Sequence, residues 1–262
     1  MLPQVNFCGI GLSKLIIGAN PFGGYSHLSP EIDRAMEQFH TEEKIFESWS
    51  RAYAAGITAF ATNTRTEKVL DATCKYLANG GPMKWLAQVE FDGADPENTM
   101  YDAIDRSAAA GASAIFMQGA ILDRLVQAGQ LQAIRNFVAH AKTKNVPVGI
   151  AGHAPEYHYL IDRLDIVDFH VVPFFNCVGD VYRLEDMDAA TRLIRRLKKP
   201  CIAYKVLGAG RIEPRLGFSY ALRNIKESDC ILVGMSRHAD DDQIEKDVAI
   251  FRDLLENPIS MR

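Results

Sequence analysis

The chain has 262 residues, of which 48% are hydrophobic, 24% charged and 9% aromatic. This composition is that of an ordinary globular protein, and the formal net charge of -4 gives no electrostatic reason to bind nucleic acid or an anionic membrane. No apolar run reaches the roughly 18 residues that span a bilayer, and the first residues lack the pattern of a signal peptide. We expect a cytoplasmic protein that acts on a small-molecule substrate, with its oligomeric state left open.

The five cysteines are scattered along the chain and show no CxxC spacing. An odd and unpatterned set indicates reduced thiols rather than a disulfide framework or a zinc site, which also suits the cytoplasm. Cys177 alone follows a predicted strand closely enough to be considered for thiol catalysis, with simple packing as the alternative. The cysteines are Cys8, Cys74, Cys177, Cys201 and Cys230.

Short apolar segments alternate with longer amphipathic segments from one end of the chain to the other. Most of the short segments are apolar throughout, which is typical of parallel strands covered on both faces. The amphipathic segments, such as 41–56, 96–111 and 242–256, predict helices. Proline at helix starts and glycine at helix ends support these boundaries. The predicted strands are 14–20, 57–62, 84–90, 113–118, 146–152, 167–174, 200–206 and 230–235.

Eight strands alternating with eight helices predict an α/β fold, a single (β/α)8 TIM barrel domain over residues 1–262. An open, doubly wound sheet is the alternative, but its first turn usually reads GxGxxG, whereas the turn here reads ANPFGGYSH. The only long insertion, residues 23–40, follows the first barrel strand. We expect this loop to lie on the C-terminal face, where it could cover the site.

Polar and mainly uncharged residues stand at the carboxyl ends of the predicted strands. Catalytic groups of such barrels come from these ends and from the loops that follow. Amides are frequent among them, which favours hydrogen bonding to a hydroxylated or carbonyl-bearing small molecule over chelation of a metal. These residues are Asn20, Thr62, Asn63, Gln88, Glu90, Gln118, His153, His170, Asn176, Lys205, Ser236 and Arg237.

Five stretches share their order and spacing with one known barrel family. NFCGIGLSKLIIGANPFGG (6–24) is similar to an opening hairpin and first strand, and AAGITAF (54–60) to the passage into a second strand. VDFHVVPFFN (167–176), IAYKVLGAG (202–210) and VGMSRHADDDQIEKDVAIF (233–251) are similar to the sixth, seventh and last strands. Together these stretches resemble the aldo-keto reductase family over nearly the whole chain, which implies the same barrel.

The reacting groups that this resemblance implies are missing. Aldo-keto reductases use an Asp and a Tyr around the second strand, a Lys at the end of the third and a His at the end of the fourth. Here Ala61 stands at the Asp position, Gln88 at the Lys position and Gln118–Gly119 near the His position, and residues 61–70 contain no tyrosine. Without the lysine, a tyrosine acid lacks the cation that lowers its pKa. We therefore expect chemistry other than ordinary carbonyl reduction.

The cofactor side of the family is partly retained. Tyr204 stands where the family stacks an aromatic ring on nicotinamide, and Ser236 and Asn176 stand where remnants of its contacts are expected. A basic pair for a 2′-phosphate is missing, and Arg237 is the only nearby candidate. The resemblance thus leaves NAD(P) open, with contacts from Tyr204, Ser236 and Arg237. The alternative is that Tyr204 packs in the barrel and Ser236 caps the last helix.

A divalent metal is less favoured as a cofactor. The residues that could hold one are His27, His153, His170 and Glu90. None of the histidine pairs has HxH or HxxxH spacing, so the sequence assigns no metal ligand.

His153 and Lys205 are the predicted centre of the chemistry, and Gln88 completes the predicted catalytic set. His153 ends a strand directly before a helix that begins with proline, and its ordinary pKa near 6.5 suits a general acid or base. Glu156, in the first turn of that helix, either orients His153 or complements the helix dipole. Lys205 lies in an apolar strand and is costly to bury unless it is paired, for example with Glu90, or functional.

A ring of hydrogen-bonding side chains around this centre predicts a polyol or sugar-derived substrate. His170 lies in the middle of a strand, and we expect it to point into the barrel. The predicted substrate-binding residues are Asn20, Gln118, His170 and Asn176.

Three functions remain open from these residues. The first is acid/base chemistry of isomerase or lyase type on a small hydroxylated carbonyl compound, with His153 moving a proton and Lys205 stabilising negative charge. The second is an NAD(P)-dependent oxidoreductase with a rebuilt proton relay. The third is a catalytically silent barrel that acts as a binding subunit.

Overall fold

Eight short strands run parallel and close into a barrel, as the sequence predicts. The computed structural model describes residues 2–91, 96–175 and 183–257. The strands are β3 (Leu15–Gly18), β4 (Ala59–Asn63), β5 (Lys84–Val89), β6 (Ala112–Met117), β7 (Val148–Ala151), β8 (Phe169–Pro173), β9 (Cys201–Tyr204) and β10 (Cys230–Gly234). Their order around the barrel is β10-β3-β4-β5-β6-β7-β8-β9, which confirms the predicted fold class.

Ten α-helices occur in the described residues. They are α1 (Pro30–Phe39), α2 (Glu42–Ala55), α3 (Glu67–Ala78), α4 (Pro96–Ala109), α5 (Gly119–Gln127), α6 (Leu131–Lys142), α7 (Pro155–Leu164), α8 (Leu184–Arg196), α9 (Pro214–Asn224) and α10 (Gln243–Glu256). This is two helices more than the eight that the sequence predicts. One is α1, which lies in the insertion, and the other arises because both α5 and α6 connect β6 to β7. None of these helices combines the length and apolar character needed to cross a membrane.

The N-terminal end of the barrel is closed by a hairpin, β1 (Gln4–Phe7) and β2 (Ile10–Ser13). Phe7 is fully buried, and its ring centroid lies 5.1 Å from that of Phe169 at the start of β8. Burying one such ring contributes about 1.5–3 kcal/mol. Apolar side chains thus fill the barrel interior at this end, and the strand ends that supply catalytic groups in such barrels lie at the opposite, C-terminal end.

Side chains alternate along each strand between the barrel interior and the layer beneath the helices. One interior cluster contains Phe7 together with inward side chains of the strands, and a second cluster joins the outward side chains to the helices. The interior cluster includes Ile16, Ala61, Leu86, Phe116, Phe169, Val171 and Ile202. This alternation decides which polar residues face the site.

The insertion after β3 reaches the loop that follows β9. It contains α1, whose start is capped by the Ser29 side chain, which accepts from the backbone N–H of Ile32. Arg211 donates from Nη2 to the backbone oxygen of His27 at 3.0 Å. The insertion is thereby held at the C-terminal end of the barrel.

Candidate functional site

His153 and Asp123 form a close pair at the C-terminal end of the barrel. His153 follows β7, and Asp123 lies in the middle of α5. His153 Nδ1 is 2.6 Å from Asp123 Oδ2, and the backbone N–H of His153 donates to Asp123 Oδ1 at 3.1 Å. A carboxylate accepting at Nδ1 holds the tautomer with its proton on that atom, so Nε2 becomes the atom that exchanges protons. This is the arrangement of a general acid or base with an orienting carboxylate.

A glycine allows α5 to pack directly against the imidazole. A Cβ at Gly119 would lie 3.0 Å from His153 Cε1, closer than side chains normally approach. The Gln118 side chain caps this helix, because its Oε1 accepts from the backbone N–H of Ile121 at 3.0 Å.

A small cavity lies beside His153, between the β7–α7 turn and α8. Its volume is about 30 Å³, enough for a water molecule or a small group of a substrate. The walls include His153, His158, Pro173 and Asp186. Both a proton-exchanging ring and a carboxylate therefore border this space.

Tyr204 and Lys205 lie together at the end of β9. Tyr204 is half-buried and packs against the interior cluster, and Lys205 Nζ is 5.6 Å from the centre of its ring. Burial, followed by the negative charge of Asp123, raises the pKa of Tyr204, so its hydroxyl stays protonated. Lys205 has a φ of 57°, which costs a non-glycine residue about 1 kcal/mol or more. Backbone strain at a lysine beside Tyr204 points to a functional constraint.

His27 brings a further basic group from the insertion to the same end of the barrel. Desolvation, followed by the positive charge of Lys205, lowers the pKa of His27, and Arg211 and His153 act in the same direction. Asp33 opposes them. These couplings show that basic groups from the insertion, β7 and β9 gather at the C-terminal end.

The predicted amides lie at strand ends, each with local partners. Gln88 is half-buried and donates from Nε2 to Glu90 Oε1 at 3.4 Å, while burial raises the pKa of Glu90. Asn20 is exposed in a short 3-10 turn, and Gln118 caps α5. Their contacts with a substrate stay predictions, as does the catalytic role of Gln88. Asn176 and Cys177 lie outside the described residues.

The predicted inward orientation of His170 is wrong. Phe169 and Val171 on either side of it belong to the interior cluster, so alternation turns His170 toward the helices. His170 is fully buried, and its Nδ1 lies 3.1 Å from Nδ1 of His158 on α7. A side chain in this position has no surface to offer a substrate in the barrel.

Arg237, after β10, is only 1% exposed and holds two carboxylates. Its Nη2 lies 2.7 Å from Glu47 Oε1 and 2.6 Å from Asp241 Oδ1. The neighbouring Ser236 accepts from the backbone N–H of His238 at 3.3 Å. The guanidinium of Arg237 thus belongs to a buried ion-pair network.

The surroundings of Arg237 do not fit the 2′-phosphate of NADP. Two neighbouring cations are also paired: Arg51 with Asp241, Asp242 and Glu245, and Lys44 with Glu47. Glu47 has a pKa lowered to about 2, chiefly by its hydrogen bond with Arg237, so it is ionised at neutral pH. A phosphate would meet carboxylates and cations that are already paired, which corrects the expectation that Arg237 is available to a cofactor.

The predicted metal candidates are not assembled into a site in the described residues. Over 2–91, 96–175 and 183–257, no group of three or more His, Cys, Asp or Glu side chains could hold a metal ion. Glu156 is exposed in the first turn of α7, whereas Asp123 is the carboxylate that contacts His153.

Sequence reasoning missed Asp123 and His158. Asp123 lies five residues beyond Gln118 within an ordinary amphipathic helix, and no local pattern marks it. His158 follows His153 by five residues, so the spacing in HAPEYH (153–158) carried a weak signal that two imidazoles lie near one another.

No protein-family model and no curated protein matches the chain. Among solved structures, it is similar to a candidate aldo-keto reductase from Pseudomonas aeruginosa, at 15% identity over 97% of this chain and 95% of that chain, with a TM-score of 0.69. It is also similar to an aldo-keto reductase from Bacillus halodurans in its holo form, at 11% identity over 100% of this chain and 93% of that chain, with a TM-score of 0.66. The chain therefore has the barrel fold of the aldo-keto reductases, at identities that leave its chemistry to be inferred from its own residues.

Proposed function

We propose that the protein is an enzyme that moves a proton on a small hydroxylated carbonyl compound of the sugar class, in which several hydroxyls flank the carbonyl. The reaction is of isomerase or lyase type. The observation that carries this proposal is the pair of contacts from Asp123 to His153, one to the ring and one to the backbone N–H.

The surroundings of the pair support proton transfer. His153 is 35% exposed, so its ring is accessible, while Asp123 is 19% exposed and held in place. His153 Nε2 removes a proton from the carbon next to the carbonyl, and the electron pair moves to the carbonyl oxygen. Lys205 stabilises the resulting negative charge, because a fixed cation beside a developing oxyanion lowers the barrier.

The product of the reaction depends on the atom to which the proton returns. In an isomerisation the proton returns to the former carbonyl carbon, while the hydroxyl on the carbon that lost it passes its own proton to the enolate oxygen, so the carbonyl moves by one carbon. In a lyase reaction the enolate electrons re-form the carbonyl and make a C=C bond as the C–O bond of the hydroxyl on the β-carbon breaks, and the proton taken up by His153 leaves with that hydroxyl as water. Asn20, Gln88 and Gln118 supply amides that orient hydroxyls. General acid/base catalysis of this kind contributes about 10²–10⁴-fold in rate.

The experiment is hydrogen exchange from solvent into substrate. The protein is incubated in D2O with a panel of aldoses, ketoses and sugar acids, and deuterium entering the carbon next to the carbonyl is followed by NMR. We expect exchange or conversion with at least one compound, and a loss of about 10²–10⁴-fold in His153→Ala.

A matched control is present in the same chain. His140 Nε2 lies 2.6 Å from Asp105 Oδ1 on the outer helices, the same separation as in the candidate site. His140→Ala should leave exchange unchanged. Equal exchange by His153→Ala and the wild type would overturn the proposal, and so would a folded protein that exchanges none of the panel.

An NAD-dependent oxidoreductase is the second candidate, because the family resemblance puts Tyr204, which is half-buried at the end of β9, where an aromatic ring stacks on nicotinamide. Its test is a fluorescence titration with NADH and NADPH. Binding of NADH with much weaker binding of NADPH would favour it, given the paired state of Arg237. Binding of neither nucleotide would remove it.

A further inference from the structure

The peptide group between Gly152 and His153 is held at both of its polar atoms. Its oxygen, on Gly152, lies 3.1 Å from His158 Nε2, and its N–H, on His153, donates to Asp123 Oδ1 at 3.1 Å. A peptide group is planar, so fixing the oxygen fixes the direction of the N–H. His158 therefore acts on Asp123 through this one peptide group.

Packing leaves the peptide group little freedom. A Cβ at Gly152 would lie 2.8 Å from Leu122 Cδ2 and 3.3 Å from His158 Nε2. Leu122 on α5 and His158 on α7 thus leave no room for a side chain at residue 152. The turn after β7 is thus set by side chains from both neighbouring helices.

The protonation of His158 follows from its partners. A carbonyl oxygen only accepts, so the Gly152 oxygen requires the proton on His158 Nε2. Burial lowers the pKa of His158 to about 4, so the ring is neutral and its Nδ1 accepts. His170 Nδ1, 3.1 Å away, then carries the proton of that contact. The Gly152 oxygen thus sets the tautomer of His158, and the contact with His170 is compatible with it; the other ring nitrogen of His170, Nε2, lies 3.5 Å from Asp162 Oδ1.

We propose that His158 is a positioning residue for the His153–Asp123 pair. Its neutral imidazole, in contact with His170, holds the peptide before His153 so that Asp123 accepts from both the backbone N–H and the ring. The catalytic meaning of this position rests on the proposed function, but the position itself can be measured without any substrate.

The test is NMR of the full chain, with and without the donor at residue 158. His158→Gln keeps an N–H donor at about the reach of Nε2, whereas His158→Leu removes it. We expect the ¹⁵N shifts of His153 to show the Nδ1–H tautomer in the wild type and in His158→Gln. In His158→Leu, we expect a mixture of tautomers and at least tenfold faster exchange of the His153 amide hydrogen.

A second variant keeps the proposal testable where His158→Leu does not fold. His158→Asn retains polarity with too short a reach, and it should behave as expected for His158→Leu. Wild-type tautomer and amide protection in a folded His158→Leu or His158→Asn would overturn the positioning role. The role would also be overturned if His158→Gln loses the tautomer and the amide protection as fully as His158→Leu does. The N–H donor at residue 158 would then not be the cause of either property.

The outcome separates the two proposals. Absence of solvent exchange into any substrate, with the His153 tautomer dependent on residue 158, removes the proposed function and leaves the positioning role intact. Conversely, deuterium exchange into the substrate can depend on His153 while the His153 tautomer is the same in all variants at residue 158. That result removes the positioning role and leaves the proposed function intact.

Discussion

Two histidine–aspartate pairs of equal length occupy different regions of the molecule. His153–Asp123 lies at the C-terminal end of the barrel, and His140–Asp105 bridges α6 and α4 on the outside. Both pairs are 2.6 Å long. A short imidazole–carboxylate distance is therefore no sufficient sign of a site, and the surroundings of each pair must decide its role.

The outer pair is part of an ion-pair cluster between helices. Asp105 also binds Lys144 Nζ at 2.7 Å, and the His140 ring lies 4.5 Å from that of Tyr101. The hydrogen bonds from Lys144 and then His140 lower the pKa of Asp105. Its carboxylate is shared among several groups and is 50% exposed, which is typical of a surface contact.

The inner pair has the opposite character. The contacts of Asp123 go to the ring and the backbone of a single residue, His153. The peptide before that residue is held in turn by a buried histidine. Preorganisation of this kind suits a group that must keep one orientation while it exchanges a proton.

The largest expected difference between the two pairs is in proton transfer. Asp123→Asn replaces the acceptor at His153 Nδ1 and disturbs the tautomer, so deuterium exchange into the substrate should fall by about 10²–10⁴-fold. Asp105→Asn should leave it within about twofold. If deuterium exchange falls equally in Asp123→Asn and Asp105→Asn, the two pairs differ in position only. If both variants keep the wild-type exchange, Asp123 has no role in the chemistry.

The acid stability of the protein should depend on the histidine behind the inner pair. The pKa of His158 is about 4 in the folded chain, against an ordinary value near 6.5. Below pH 6.5 the unfolded chain takes up a proton that the folded chain does not, so the free energy of unfolding falls as pH falls from 6.5 to 4. The contribution of this residue is about 3 kcal/mol.

Urea unfolding at pH 7 and pH 4 measures this contribution. His158→Gln should reduce the difference between the two pH values by about 3 kcal/mol relative to the wild type. Asp105→Asn should run parallel to the wild type in this window, because a lowered carboxyl pKa removes stability only below about pH 4. A His158→Gln curve parallel to the wild type would show that folding does not lower the pKa of His158.

The barrel could be predicted because its signals are local. Apolar runs such as VPVGIAG (146–152) and glycine stops such as Gly56, which ends α2 with a φ of 109°, are visible in single segments. The position of His153 after β7 followed directly from them. The connection between β6 and β7 was harder to predict from the sequence, because Gly129, with a φ of 68°, divides it into two helices.

The partners of His153 could not be predicted in the same way. Asp123 reaches it only because Gly119 lets α5 approach the imidazole, which is a contact between elements rather than a pattern within one. The direction of His170 depended on whether odd or even residues of VDFHVV (167–172) face the interior. The odd residues are all apolar, whereas the even ones include Asp168 and His170, but this pattern alone does not say which set faces the polar end of the barrel. The packing of Phe169 on Phe7 shows that the odd set faces the interior.

A smaller effect should distinguish the backbone around the two pairs. Lys205, near the inner pair, has a φ of 57°, whereas Lys144, beside the outer pair, is not among the residues with positive φ. Lys205→Gly should raise the free energy of unfolding by up to about 1 kcal/mol, because it removes a Cβ penalty of about 1–2 kcal/mol in the left-handed region and adds an entropy cost of about 0.5–1 kcal/mol. Lys144→Gly should lower it by about 0.5–1 kcal/mol. Thermal unfolding measures both, and a loss of stability in Lys205→Gly would show that side-chain contacts outweigh the strain.

The smallest effect should come from the charge on the outer pair. Lys144→Gln removes the cation that shares Asp105, and since the carboxylate is half exposed the cost should be about 0.5 kcal/mol at low salt. Salt screens such a contact, so the difference from the wild type should vanish near 1 M NaCl. Urea unfolding at the two salt concentrations measures it. If the cost of Lys144→Gln persists at high salt, then packing holds the outer cluster as firmly as the inner pair. The two pairs would then differ in how deeply they are buried and not in how much their charges contribute.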